Sequence, residues 1–245
     1  MYSRDIMKGL SFQNGVEFKI TIEGESWSPG DLIKGKVESK PIAQAQLLLA
    51  EGTDKKVKIK SPDAFVVLEE AITQTSPYEW NFQLPVDARI SDKSGALYLL
   101  YGHGENLEKL GQLRLNIIPH IHFKDMMDLL TAHFRFSLKS ISAGKSKTTE
   151  VKFGPPSKDW KMLDELVMFL KIKDDAIEVK FQFHRQEVDA TKGGLATKSV
   201  KREINRTWEI KKIIHNFNGR IDKEILTAEI DKVVAEYRDA GWLSS

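Results

Sequence analysis

His120 and His122 stand two residues apart, and on a strand both rings would face one side, as a two-histidine metal site requires. Asp125 and His133 are close enough in the chain to complete such a site. A His-x-His pair alone defines no third ligand, and solvated histidines at a domain boundary account for it more simply. The second group is basic: Lys139, Lys145, Lys147, Lys192, Lys198, Lys201 and Arg202, the last three within five residues. Such a surface would attract an acidic protein, a phosphorylated tail or an anionic membrane. Glu187 and Glu203 offset part of that charge, and a solvated loop is the plainer reading.

Other chemistry is thinly represented. Asp164-Glu165 and Asp174-Asp175 are adjacent carboxylates, and strand neighbours face opposite sides, so neither forms an acid–base dyad. Asp174-Asp175 reads instead as a hairpin turn. Tyr101-Gly102-His103-Gly104-Glu105-Asn106 has two glycines but no basic residue placed for a phosphate, and it too reads as a hairpin. Gly193-Gly194 reads as a flexible turn, and no Gly-x-Ser-x-Gly elbow is present. The expectation is a protein without catalytic residues, cofactor or metal.

The positioning elements are mostly short strands. Val16–Ile22 alternates apolar and polar with period two, Trp27-Ser28-Pro29-Gly30-Asp31 is a turn, and Leu32–Glu38 continues as strand. Further strands are expected at 43–51, 57–60, 65–73, 79–84, 95–101 and 112–118. Their spacing, without helical runs between them, indicates an antiparallel sandwich. After Pro119 a short helix is expected near 123–130, then strands at 134–141, 149–153, 165–171 and 176–183. Leu226, Ile230, Val233 and Tyr237 fall on one face of a helix over 221–239, with Asn218 or Asp222 as its cap and Gly241 just past its end.

The chain has 245 residues, 41% hydrophobic and 29% charged, which excludes disorder and allows a sizeable core. It contains no cysteine, so disulfides and thiolate chemistry are excluded and a reducing, cytoplasmic setting is favoured. The first eight residues lack a secretory apolar run, and no apolar stretch is long enough to span a bilayer as a helix. Net charge is +2, with a mild excess of acid before residue 120 and of base after it. That asymmetry is too small for a nucleic-acid binder.

The run Val16-Glu17-Phe18-Lys19-Ile20 through Pro29-Gly30-Asp31-Leu32-Ile33-Lys34-Gly35-Lys36-Val37 resembles the opening of arrestin-fold N-domains. Trp80-Asn81-Phe82-Gln83-Leu84-Pro85 resembles the strand of that domain ending in Phe-x-Leu-Pro. Phe134–Lys139, Leu163–Leu170 and Ile177–Phe181, in that order, are most similar to the bacterial sporulation-control family, SpoOM. The resemblance covers most of residues 14–185. It implies an all-β chain of two arrestin-like β-sandwiches in tandem, with a short interdomain helix and a C-terminal amphipathic helix. The expected domains are 1–119, 120–217, and a helix and tail at 218–245.

The resemblance also implies a non-enzymatic adaptor or scaffold, binding other proteins in bacterial regulation of the cell cycle or development. The residues expected to bind protein are Leu226, Ile230, Val233, Tyr237 and Trp242 of the terminal helix region, with Lys198, Lys201 and Arg202, although packing of that helix face on the chain's own sandwich is the plainer reading. Self-association is an available mode, as is strand addition at an open sheet edge. The alternatives are a cargo-sorting adaptor resembling the arrestin-fold retromer subunit, or a metal-binding β-sandwich using His120 and His122. The only Pro-Pro, Pro155-Pro156, is followed by Ser157, so no Pro-Pro-x-Tyr motif is present.

Overall fold

Alternation produces strand where the sequence demands it. In β2 (Val16–Glu23), Phe18, Ile20 and Ile22 are fully buried, while Lys19 and Glu23 face solvent. A computed structural model describes residues 6–156, 163–189, 196–215 and 218–239. The side chains of 187–189, 196–198 and 238–239 are outside that description. The chain divides into two compact units, Met1–Pro119 and His120–Ser245.

Unit 1 holds two four-stranded antiparallel sheets. The first runs β1 (Ile6–Gln13), β2, β3 (Leu32–Lys40), β6 (Tyr78–Gln83). The second runs β5 (Phe65–Thr73), β4 (Ala45–Thr53), β7 (Gly95–Gly102), β8 (Gly111–Arg114). Phe18, Ile20, Val37 and Trp80 of one sheet and Leu47, Leu49, Leu97 and Tyr101 of the other share one core cluster. This is the sandwich solution, in which each apolar face covers the other. β7 is buried throughout because its second face, with Tyr98 and Leu100, packs in a smaller cluster with Ala64 and Phe65.

The Pro29-Gly30 turn is held closely. Gly30 takes φ +90°, and the Asp31 carboxylate accepts from Ser28 N at 2.7 Å. Leu84 N donates to Asp31 O at 2.9 Å, tying the end of β6 to the turn. Gly35, opposite Trp80 in the register, leaves room for the indole: a Cβ there would collide with Thr21 O and the Trp80 ring.

Unit 2 is built differently. β9 (Ser137–Ala143), β10 (Thr149–Gly154), β11 (Leu163–Lys173), β12 (Ala176–Asp189) and β13 (Ala196–Glu209) form one antiparallel sheet in the order β13-β12-β11-β10-β9. Its apolar face carries Val151, Phe153, Met168, Leu170, Phe181 and Ile204. α2 (Ile121–Ala132), the short α3 (Ile210–Ile213) and α4 (Lys223–Asp239) bring Phe123, Met126, Leu130, Ile213, Leu226, Ile230 and Val233 into the same cluster. The architecture is mainly β and antiparallel, as expected. The second layer of unit 2 is helical, however, where a second sheet was expected; among the described residues this unit has one sheet. Helices serve because their apolar stripes match one half-buried sheet face.

Three smaller differences follow from local chemistry. Residues 57–60 are not a strand: Asp54–Lys58 forms the short helix α1, with its acid in the first turn and lysines in the last. The expected strand at 112–118 ends at Arg114. β1 and β13 were not foreseen. β13 hides from period-two reading because its apolar-facing positions include Arg202 and Arg206, cross-strand from Phe183 and Val179.

Candidate functional site

The terminal helix spends its apolar face inside its own unit. Leu226, Ile230, Val233 and Tyr237 are each 1% exposed, and the Tyr237 ring stacks on Phe183 at 4.2 Å. Asp222 caps the helix, accepting from Glu224 N at 2.9 Å and Ile225 N at 3.3 Å. These four side chains are therefore not available to a partner, which corrects their expected role: sheet burial outcompetes docking. Trp242, Gly241, Lys192 and Gly193-Gly194 lie outside the described residues, as does the side chain of Lys198.

The histidine pair is also redistributed. His120 is the N-cap of α2, where its Nδ1 accepts from His122 N at 3.2 Å, so the two do not share a strand face. His122 is buried, and that burial lowers its pKa against the opposing pull of Asp125. Burial alone would raise the Asp125 pKa. Hydrogen bonds from Arg220 and from Ile221 N outweigh it and hold the carboxyl below its ordinary value. Arg220 Nε lies 3.0 and 2.9 Å from the two Asp125 oxygens, and Ile221 N 3.2 Å from one. This pair ties α2 to the segment leading into α4. His133 lies beyond α2, its ring against Phe134. Among the described residues no three His, Asp or Glu side chains are grouped to hold a metal.

Two kinds of surface stand open. The first is the edge of unit 1. Among the described residues β5 pairs only with β4, and Val66 (65%), Val67 (41%), Leu68 (40%) and Ile72 (54%) are exposed along it. A register irregularity in the β4–β5 pairing falls at Leu68. β1, at an edge of the other sheet, exposes Ile6, Leu10 and Phe12.

The second is the outer face of the unit 2 sheet. A groove of about 740 Å³ there is lined by Lys145, Lys171, Lys180, Lys201, Phe169 and Glu178, among others. It brings together Lys145 and Lys201, which are distant in sequence. Lys201 Nζ lies 2.6 Å from Glu203, and Lys180 Nζ 3.5 Å from the same carboxylate. Gln182 Nε2 donates to Glu203 at 2.9 Å. Arg202 faces the other way, cross-strand from the buried Phe183. Lys139 pairs with Glu165 at 3.4 Å. Sequence reading missed Lys171, Lys180 and Phe169, which look like ordinary strand residues until the sheet aligns them. The available signal was their outward alternation with Leu170, Ile172, Val179 and Phe181.

The fold is a mainly antiparallel β chain of two units. Among solved structures, it is similar to the Spo0M sporulation control protein from Bacillus subtilis, with 16% identity and a TM-score of 0.50. The match covers 77% of this chain and 90% of that one, and what it shows is the fold. No family model and no curated protein matches the sequence. Among the described residues no helix is long and apolar enough to cross a membrane.

Proposed function

We propose that this chain is a non-enzymatic, arrestin-like adaptor that binds other proteins in the bacterial cytoplasm, within cell-cycle or developmental regulation. The observation that carries the proposal is β5: nine residues at a sheet edge with four large apolar side chains exposed. Edge strands offer unpaired backbone donors and acceptors, and natural proteins usually blunt them with charge or cover. An edge left apolar over Val66-Val67-Leu68 is suited to accept an extended segment of a partner as an added strand. The likeness to a sporulation control protein supports the regulatory setting.

The test places a photo-crosslinking residue at Val67 and, as a control, at the exposed Ile59, in the cells of origin. A protein crosslinked from position 67, absent from position 59, and lost in Leu68→Lys with unit 1 still folded, is the expected result. Equal crosslinking from both positions, or capture undiminished by Leu68→Lys, would overturn the proposal.

A further inference from the structure

The unit 2 groove has a chemistry of its own. Its lysines come from the β9–β10 loop (Lys145), β11 (Lys171), β12 (Lys180) and β13 (Lys201), and Arg206, which pairs with Glu236, also lines it. Lys180 and Lys201 already hold a carboxylate, that of Glu203, with the Gln182 amide as a third donor. Their attraction keeps the Glu203 carboxyl below its ordinary pKa, first through the Lys201 hydrogen bond. The other end of the groove differs. Among the described residues, neither Lys145 nor Lys171 has a carboxylate within ion-pair distance, although Glu178 is the cross-strand neighbour of Lys171. Between the two ends lies the half-buried Phe169, with Lys180 Nζ 5.3 Å from its ring centre.

We propose that this groove binds an extended acidic segment of a partner polypeptide, one carboxylate seated at Lys145 and Lys171 and another at Lys180 and Lys201. Register fixes the scale. Lys171 lies in the row of Glu178 and Thr207, and the Glu203 carboxylate held by Lys180 and Lys201 lies four residues away along β13, or roughly 13 Å at strand rise. That is the span of about four extended residues, too long for a single small anion. The groove also alternates its lysines with Glu150 and Glu178. A continuous polyanion, such as a nucleic-acid backbone or an anionic bilayer, would meet both acids. A peptide with carboxylates on alternate residues can avoid them, and Asn205, Thr207 and Gln182 offer side-chain hydrogen bonds to its backbone. The segment enters as a competitor of Glu203, so the site contains its own weak inhibitor.

The experiment measures fluorescence anisotropy of a labelled six-residue peptide alternating Glu and Ser against the full chain, with the Gln/Ser peptide as reference. The Glu peptide is expected to bind about ten-fold tighter or better, and to weaken with salt. Lys145→Glu with Lys171→Glu should cost about ten-fold, while the charge-matched pair Lys19→Glu with Lys55→Glu, exposed in unit 1, changes binding less than two-fold. Glu203→Gln should tighten binding several-fold by freeing Lys180 and Lys201. Equal binding of the two peptides overturns the proposal, as does a folded Glu203→Gln protein that binds no tighter. Vesicles of phosphatidylcholine and phosphatidylserine form the second arm. If they sediment the chain and displace the peptide, the groove is a lipid site and the proposal fails. Crosslinking from Val67 is unaffected by these variants, so the two proposals fail separately.

Discussion

Unit 1 and unit 2 solve the same problem with different second layers, and their exposed surfaces differ accordingly. In unit 1, sheet packs on sheet, and apolar residues in excess of the core emerge at the edges, on β1 and β5. In unit 2 the apolar face of one sheet is sealed by α2 and α4, so the opposite face must be polar and carries lysines over a half-buried Phe169. The lesson is that the covering layer decides which recognition chemistry is left outside. An open apolar edge recruits by backbone pairing, whereas a charged sheet face recruits by ion pairing and is salt-sensitive.

The largest way to break this contrast is to unseal unit 2. Leu226→Ala removes a 1%-exposed side chain from the α4 face and should cost about 2–5 kcal/mol. Hydrogen exchange should show lost protection across β10–β13, with β2 and β7 unchanged. Loss of protection in both units would show that they do not fold independently.

Next comes the Asp125 tie. Asp125→Asn weakens the contacts to Arg220 and Ile221 N and should cost about 2 kcal/mol by chemical denaturation. The wild-type Asp125 pKa is lowered in the fold. Its contribution is therefore present above the ordinary aspartate pKa, and is lost as pH falls through the folded value.

In unit 1, Gly35→Ala forces a Cβ against Thr21 O and the Trp80 ring. It should cost about 1–3 kcal/mol through overpacking, read as a lowered Tm with α4 protection intact. An unchanged Tm would mean that the β3–β6 pairing can widen there. Asp222→Ala should cost about 1 kcal/mol by removing the α4 cap.

The smallest effect is a pH slope. Burial lowers the His122 pKa, so below about pH 6.5 the unfolded chain takes up the proton more readily than the folded one. Stability should then fall as pH drops through that range, and His122→Gln should flatten the slope. A slope unchanged in His122→Gln would assign it to another histidine.

Much of unit 1 was legible. Phe18, Ile20 and Ile22 alternate, Pro29-Gly30 turns, and Trp80-x-Phe82 returns to the same core, because these signals are local. β1 was missed because its outward Ile6, Leu10 and Phe12 are apolar where a paired surface strand would be polar. β13 was missed because it presents arginines toward the covered side. Arg206 reaches Glu236 on α4, and Trp208 Nε1 donates to Glu229 at 3.1 Å. Such satisfaction across elements leaves no periodic trace.

Local interaction alone, then, determined the strand-rich character, the Pro29-Gly30 turn, and the period and cap of the terminal helix. Their physical basis is backbone sterics and side-chain spacing within a few residues. Tertiary structure alone decided that α4 seals its own sheet, that β5 stays open, and that Lys145, Lys171, Lys180 and Lys201 meet in one groove. Those outcomes depend on which faces compete for burial and which strands lie side by side, and both are set by contacts between residues far apart in the chain.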